Sequence, residues 1–113
     1  MNKQNNLGEF EILILAALIR LGDNAYGVTI RNEIEKRAER SVSVGALYST
    51  LGRLEKKNYV SSEVGEATAE RGGRAKRYYQ LSPLGKAQLD KSVRALSNML
   101  VDFEPLSSAR VTS

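Results

Sequence analysis

The stretch SVGALYSTLGRLEKKNYV, at positions 43–60, carries the pattern that decides the fold. Its apolar side chains recur at the spacing of a helix with one narrow buried stripe, which consists of Val44, Leu47, Leu51 and Leu54. Ser41 and Ser43 are candidate caps before this helix. Asn58 stands where the helix should end, because asparagine tolerates the left-handed backbone of a C-terminal cap. The stretch therefore predicts one short amphipathic helix between two turns.

Two more helices are predicted upstream of it. From Leu7 onward apolar residues fall on both faces of a helix, so we expect this helix to be buried nearly all round until Gly22 ends it. Asp23 or Asn24 then caps a second helix. The apolar residues of the second helix are spaced four apart, at Tyr26, Ile30 and Ile34. The chain thus begins with three successive helices.

Downstream of Asn58 the pattern changes from helical to alternating. Residues 59–64 and 76–81 alternate in the manner of strands, and the segment 65–73 between them has no apolar residue larger than alanine. This combination predicts a β-hairpin with a long, mobile tip. Within the hairpin, Tyr79 and Leu81 are expected to belong to the core.

A fourth helix is predicted to open at Ser82 and Pro83, a cap followed by proline at the first helical position, and to end before Pro105. Its apolar residues form a heptad seam suited to association with a second chain: Leu89, Val93, Leu96, Leu100 and Phe103. The seam is short for an isolated coiled coil, so we expect the helix to pack on the first helix and on a partner chain together.

This order of elements is that of a mainly α-helical protein with a small β-hairpin. Three helices, a two-stranded wing and one further helix indicate a winged helix-turn-helix with a C-terminal dimerisation helix. We assign the winged helix-turn-helix to residues 7–81, the dimerisation helix to 82–104 and a disordered tail to 105–113.

Composition narrows the classes of function. The 113 residues include no His, no Cys and no Trp, which removes imidazole bases, thiol nucleophiles and zinc-finger ligands. We therefore predict no enzyme activity, no metal site and no cofactor. The longest apolar run, at 12–19, has eight residues, whereas a membrane span needs about 20. We expect a cytoplasmic protein with no membrane partner.

The positive charge is concentrated in one region. Residues 36–79 hold ten basic and five acidic side chains, a local net charge of +5, whereas the rest of the chain holds seven and eight, a net charge of −1. The formal +4 of the whole chain therefore comes from the third helix, the hairpin and the segment before them. Such a concentration is the electrostatic footprint expected for contact with phosphates.

The predicted contacts with double-stranded DNA lie on the third helix and on the wing. Small residues at the start of the helix let it sit deep in the major groove, where recognition helices touch base edges. The candidate recognition residues are Gly45, Ala46, Tyr48, Ser49, Thr50, Arg53 and Lys56. The candidate wing contacts, to backbone or minor groove, are Arg71, Arg74, Lys76 and Arg77.

Several short motifs resemble those of the PadR-like transcriptional regulators over about residues 7–89. They are LGEF at 7–10, AYG at 25–27, SVGALYSTL at 43–51, RLE at 53–55, GGR at 72–74 and RYYQLS at 77–82, followed by Gly85. The resemblance implies a dimeric bacterial regulator of the compact branch, in which Tyr48 donates to a phosphate. Family members often have proline where this chain has Val44 and Ser49. Some compact members bind flat aromatic ligands between tryptophans, which this chain lacks.

The sequence thus predicts a sequence-specific DNA-binding regulator, a homodimeric repressor on a pseudo-palindromic operator. A two-fold dimer would place two recognition helices about one DNA turn, roughly 34 Å, apart. A small-molecule effector, if one releases the DNA, is expected between the first and fourth helices. The alternative is a winged helix that binds RNA or another protein. Steep salt dependence with a sequence preference would distinguish operator binding from that alternative.

Overall fold

A computed structural model describes residues 6–65 and 75–101, and the predicted order of elements is confirmed within them. The elements are α1 (Glu9–Leu21), a 3-10 turn (Gly22–Asn24), α2 (Gly27–Ala38), α3 (Val44–Lys56), β1 (Val60–Val64), β2 (Arg77–Leu81) and α4 (Pro83–Leu100). Three helices followed by a two-stranded antiparallel hairpin and a fourth helix make a winged helix fold. Residues 66–73 of the predicted hairpin tip, and the predicted tail at 105–113, lie outside the described residues.

Most of the helix caps predicted from the sequence are present in the structure. The Ser43 hydroxyl accepts from the Ala46 amide at 3.1 Å to open α3, and the Ser82 hydroxyl accepts from the Gly85 amide at 2.9 Å to open α4. Asn58 follows α3 with a left-handed φ of 66°. These contacts confirm the two predicted N-terminal caps and the left-handed asparagine after α3.

The start of α2 differs from the prediction, because neither Asp23 nor Asn24 caps this helix. Both residues belong to the 3-10 turn, and the residue before α2 is Tyr26 in extended conformation. Tyr26 is extended because it forms an isolated β-bridge with Tyr78 of β2. The Thr29 hydroxyl accepts from the Tyr26 amide at 3.0 Å and donates to the Asn24 carbonyl at 2.6 Å. The side chain that stabilises the first turn of α2 is therefore that of Thr29.

The core lies where α1 meets the other elements. Its members are fully or nearly fully buried and come from every helix and both strands: Ile14, Leu15, Leu18, Ile30, Ile34, Leu47, Leu51, Leu54, Val60, Tyr79 and Leu89. The expectation that α1 is buried nearly all round is wrong. Ile12 and Leu13 are only half-buried and Ile19 is exposed, because the elements that pack on α1 leave part of its surface open.

The hairpin is anchored to the turn before α2. β1 and β2 pair antiparallel from Val60 opposite Leu81 to Val64 opposite Arg77. Beyond this pairing, the Tyr79 amide donates to the Ala25 carbonyl at 2.9 Å, next to the bridge formed by residue 26. The base of the wing is therefore tied to the helical part of the fold through backbone hydrogen bonds.

Helix α4 has one buried face and one exposed face. The buried face includes Leu89 and Ser92, and the Ser92 hydroxyl accepts from the Leu7 amide at 2.9 Å. Leu89, predicted as part of a dimer seam, thus belongs to the core of its own chain and is 5% exposed. Helix α4 ends at Leu100 and the described residues end at 101, so the predicted dimerisation residue Phe103 lies outside them.

No helix in 6–65 or 75–101 combines the length and the apolar character needed to cross a bilayer. Within the same residues, no group of three or more acidic side chains is arranged to hold a metal ion.

Candidate nucleic-acid interface

Helix α3 presents an exposed face that carries most of the predicted recognition residues. Its buried stripe consists of Leu47, Thr50, Leu51 and Leu54. The exposed side holds six of the seven candidates: Gly45, Ala46, Tyr48, Ser49, Arg53 and Lys56. The structure therefore brings these six onto one surface, with the smallest side chains at the N-terminal end of the helix.

Thr50 and Val44 lie on the opposite sides from those expected. Thr50 is 4% exposed, so its predicted place at the border of a DNA-facing arc is wrong. Its Oγ1 instead accepts from Arg53 Nη2 at 3.2 Å. Val44, assigned to the buried stripe, is 52% exposed because it is the first residue of α3 and projects past the core. Its position directly after the Ser43 cap could have identified it as a further surface residue.

Arg53 lies along the surface of its own helix. Besides the contact to Thr50, its Nη1 approaches the Ser49 hydroxyl one turn earlier at 3.5 Å. The buried threonine and the exposed serine thus hold the guanidinium on the exposed face of α3. A guanidinium held in one place can donate two parallel hydrogen bonds to a guanine edge or to a phosphate.

Tyr48 links the recognition helix to the start of α2. A Cβ atom at Gly27 would overlap the Tyr48 hydroxyl and would lie only 2.7 Å from its Cζ. Glycine at position 27 thus leaves the space that the Tyr48 hydroxyl occupies. Tyr48 is 47% exposed as a residue, and its hydroxyl lies beside the first turn of α2.

Lys76 and Arg77 both make contacts at the base of the wing. Lys76 Nζ lies 4.8 Å from the centroid of the Tyr26 ring. Arg77 Nη1 donates to the Ser62 hydroxyl at 3.0 Å, and that hydroxyl donates to Glu55 Oε2 at 2.8 Å. The second chain of contacts joins β2 through β1 to α3, so Arg77 braces the wing against the recognition helix. The other two wing candidates, Arg71 and Arg74, lie outside the described residues.

The described basic side chains of residues 36–79 form two groups, those with an ion-pair partner and those without one. Arg37 pairs with Glu33 at 2.6 Å, Arg40 with Glu9 at 3.2 Å and Lys57 with Glu11 at 3.9 Å. The Arg37 hydrogen bond is the main reason why the pKa of Glu33 is below its usual value. Within 6–65 and 75–101, the basic side chains of the region without an ion-pair partner are Lys36, Arg53, Lys56, Lys76 and Arg77.

Four of the five cations without an ion pair lie on α3 and the wing. Pairing with acidic side chains neutralises charge on α2 and at the end of α3, so the positive charge left over belongs mainly to the surface that α3 shares with the hairpin. An exposed helix with small residues at its start, beside a cationic hairpin, is the arrangement of a winged helix DNA-binding domain.

The comparisons with known proteins agree with this class. The family model described as the transcriptional regulator PadR-like family matches residues 14–91, which is more than half of the chain. The chain belongs to this family and is a DNA-binding transcription regulator. The comparison with curated proteins found no match.

Solved structures similar to the chain share its fold over most of their length. A transcriptional regulator from Clostridium thermocellum is 28% identical with a TM-score of 0.68, covering 80% of this chain and 84% of its own. A PadR family regulator from Clostridium difficile is 28% identical with a TM-score of 0.67, covering 85% and 98%. A PadR-like regulator from Bacillus cereus is 21% identical and is similar in fold, with a TM-score of 0.71 over 89% and 93%.

Proposed function

We propose that this protein is a homodimeric repressor that binds a pseudo-palindromic operator in the bacterial cytoplasm through α3 and the wing. The observation that carries the proposal is the exposed face of α3, where small residues and cations without an ion pair stand beside the cationic wing. Repression follows if the operator overlaps a promoter, because a bound dimer would occupy the site that RNA polymerase needs.

Each part of this surface has a distinct role in the proposal. The N-terminal end of α3 enters the major groove, where the exposed Val44 and Ala46 face thymine methyl groups and Ser49 and Arg53 face hydrogen-bonding base edges. Tyr48 donates to a backbone phosphate from its place beside α2. The remaining contacts go to the sugar–phosphate backbone, from Lys56, Lys76 and Arg77 and from the predicted residues Arg71 and Arg74.

The exposed face of α4 supports the dimer. In the C-terminal half of α4, four large apolar side chains are between 43% and 76% exposed, which is costly for a helix in water. They are Val93, Leu96, Met99 and Leu100. Three of them were predicted as seam residues, so in the proposal a second copy of the chain covers this face and fixes the distance between the two recognition helices.

A groove between α1 and α4 is the proposed place for an effector. It has a volume of about 660 Å³ and is lined mainly by apolar side chains, among them Ile12, Leu13, Leu96 and Met99. This volume is within the range of pockets that hold small organic molecules, roughly 300–1,000 Å³. A ligand in the groove would alter how α4 packs on α1. It would thereby change the distance between the two recognition helices, so that they no longer match the half-sites, and release the DNA.

Binding to a duplex selected from a random library tests the proposal. The wild-type protein is expected to bind in the presence of competitor DNA, with an affinity that falls steeply as salt is raised. Arg53→Ala should lower the preference for the selected site by about 1–3 kcal/mol, whereas Lys76→Ala should weaken binding to all duplexes alike. Lys91→Ala, which removes an exposed lysine of α4, is the charge-matched control and should bind as the wild type does.

Two outcomes would overturn the proposal. One is binding that shows no preference for any duplex sequence, or a stronger preference for RNA or a protein partner. The other is an unchanged affinity in both the Arg53→Ala and the Lys76→Ala variants, which would mean that the surface of α3 and the wing does not meet the DNA.

A further inference from the structure

We infer that Tyr26 is a positioning residue for DNA binding, whose ring holds the ammonium group of Lys76 ready for a backbone phosphate. The inference rests on the proposed function and deepens it. Tyr26 itself needs no contact with DNA, because it acts through the lysine whose Nζ lies 4.8 Å from the centroid of its ring. The attraction is electrostatic, between the cation and the electron-rich face of the aromatic ring.

The ring of Tyr26 is itself held by the wing. It meets the ring of Tyr78 edge to face, with the centroids 5.4 Å apart and an angle of 67° between the planes. The two residues are also joined by the isolated backbone bridge. Lys76 is two residues before Tyr78, and its carbonyl accepts from the Gly65 amide at 2.8 Å. Lys76 and Tyr26, whose ring lies beneath the ammonium group, are therefore both anchored through their backbone.

Gly65 completes the arrangement. A Cβ atom at this position would lie 2.9 Å from Tyr78 Cε1 and 3.2 Å from its Cδ1, so the tyrosine ring packs directly on the glycine backbone. Tyr78 is thus fixed between Gly65 and Tyr26. Three segments of the chain, the end of β1, the start of β2 and the turn before α2, combine to keep one aromatic ring beneath the ammonium group of Lys76.

This arrangement places the charge where the proposed interface needs it. Tyr26 directly precedes Gly27, against which the Tyr48 hydroxyl lies, so the charge of the wing is brought to the start of α2. A free lysine loses side-chain entropy when it binds a phosphate, whereas one already held over a ring loses less. The Tyr26 ring interacts with one side of the Lys76 ammonium group. The N–H donors on the other side of the ammonium group remain available for DNA.

A double-mutant cycle on the selected duplex tests the inference. Tyr26→Leu removes the electron-rich ring and is expected to weaken binding about threefold, while Tyr26→Phe keeps the ring and should stay within about twofold of the wild type. In a Lys76→Ala background, Tyr26→Leu should cause no further loss, because there is no ammonium group left to position. Lys76→Ala alone should reduce the slope of log K against log salt by about one.

A purely structural role for Tyr26 would give a different result. If the leucine variant only loosened the wing, its loss of affinity would persist in the Lys76→Ala background, and this additivity would overturn the inference. An unchanged affinity in Lys76→Ala would overturn it as well. The proposed function fails separately, when the wild-type protein binds no duplex with sequence preference.

A spectroscopic measurement on the wild-type chain covers the case in which Tyr26→Leu does not fold. The ε-methylene protons of Lys76 should resonate upfield of those of the other lysines because of the ring current of Tyr26. The shift should persist in Tyr26→Phe. The absence of an upfield lysine signal from the wild-type protein would contradict the inference without any substitution at position 26.

Discussion

Gly27→Ala is expected to weaken DNA binding without touching DNA, because it moves Tyr48. The new methyl group would overlap the Tyr48 hydroxyl, and one of the two must give way. The helix backbone of α2 is held by its hydrogen bonds, whereas the phenol is the far end of a side chain that is 47% exposed. The ring of Tyr48 should therefore swing outward, away from the start of α2.

The expected magnitudes differ between stability and affinity. Replacing glycine by alanine favours a helix by up to about 1 kcal/mol in its interior and by less at the first position. This gain offsets the packing lost by a half-exposed ring, so the free energy of unfolding should change by less than about 1 kcal/mol. A hydrogen bond to a charged phosphate contributes about 1.5–3 kcal/mol, so its loss should lower the affinity at least about tenfold.

Fluorescence anisotropy with the selected duplex and urea denaturation measure the two quantities. Tyr48→Phe removes the hydroxyl without moving the ring, and it should lower the affinity about as much as Gly27→Ala does. The double variant should be no weaker than Gly27→Ala alone, since both substitutions remove the same contact. An unchanged affinity in Gly27→Ala, or a loss of stability above about 3 kcal/mol, would contradict the proposed contact of Tyr48 with a phosphate.

Three further predictions concern the core, the ion pairs and the dimer. Leu51→Ala should lower the free energy of unfolding by about 2–5 kcal/mol in urea denaturation, because Leu51 is fully buried. Leu84→Ala, at an exposed position, should change it by less than about 0.5 kcal/mol, and equal effects of the two substitutions would contradict the assigned core. Because the hydrogen bond from Arg37 lowers the pKa of Glu33, this carboxylate stabilises the fold above its ordinary pKa of 4.5, and the contribution is lost as pH falls through the lowered pKa. The melting temperature of Glu33→Gln should therefore depend less on pH in the acid range than that of the wild type. An unchanged pH dependence would argue against the ion pair. Leu96→Asp should sediment as a folded monomer and lose most of its DNA affinity, and a variant that remains dimeric would exclude the exposed face of α4 as the interface.

Periodicity in the sequence located the helices well but was less reliable about which faces are covered. The buried stripe of α3 was correct at Leu47, Leu51 and Leu54, where neighbouring elements pack on the helix. It was wrong at Val44, because the first residue of a helix can extend past the core. It was also wrong at Thr50, a polar residue that the fold buries and that then supports Arg53. Burial depends on the neighbours that the tertiary fold supplies.

The electrostatic arrangement of the site could be predicted only as a region. Charge counting located the excess of positive charge in residues 36–79, but it could not say which cations are neutralised. The pair between Arg40 and Glu9 joins residues 31 positions apart, and the contact between Lys76 and Tyr26 joins the wing to the turn before α2. Such contacts follow from the way the helices and the hairpin pack.

A hydroxyl-radical footprint of the wild-type protein on its selected duplex tests whether a symmetric dimer reads DNA with α3 and the wing. If two copies of α3 enter successive major grooves of a pseudo-palindromic site, two protected blocks should appear on one face of the DNA. Their centres should be about 10 base pairs, or a multiple of one helical turn, apart. A single protected block, or protection that does not depend on the sequence, would contradict the claim that a symmetric dimer reads DNA with α3 and the wing.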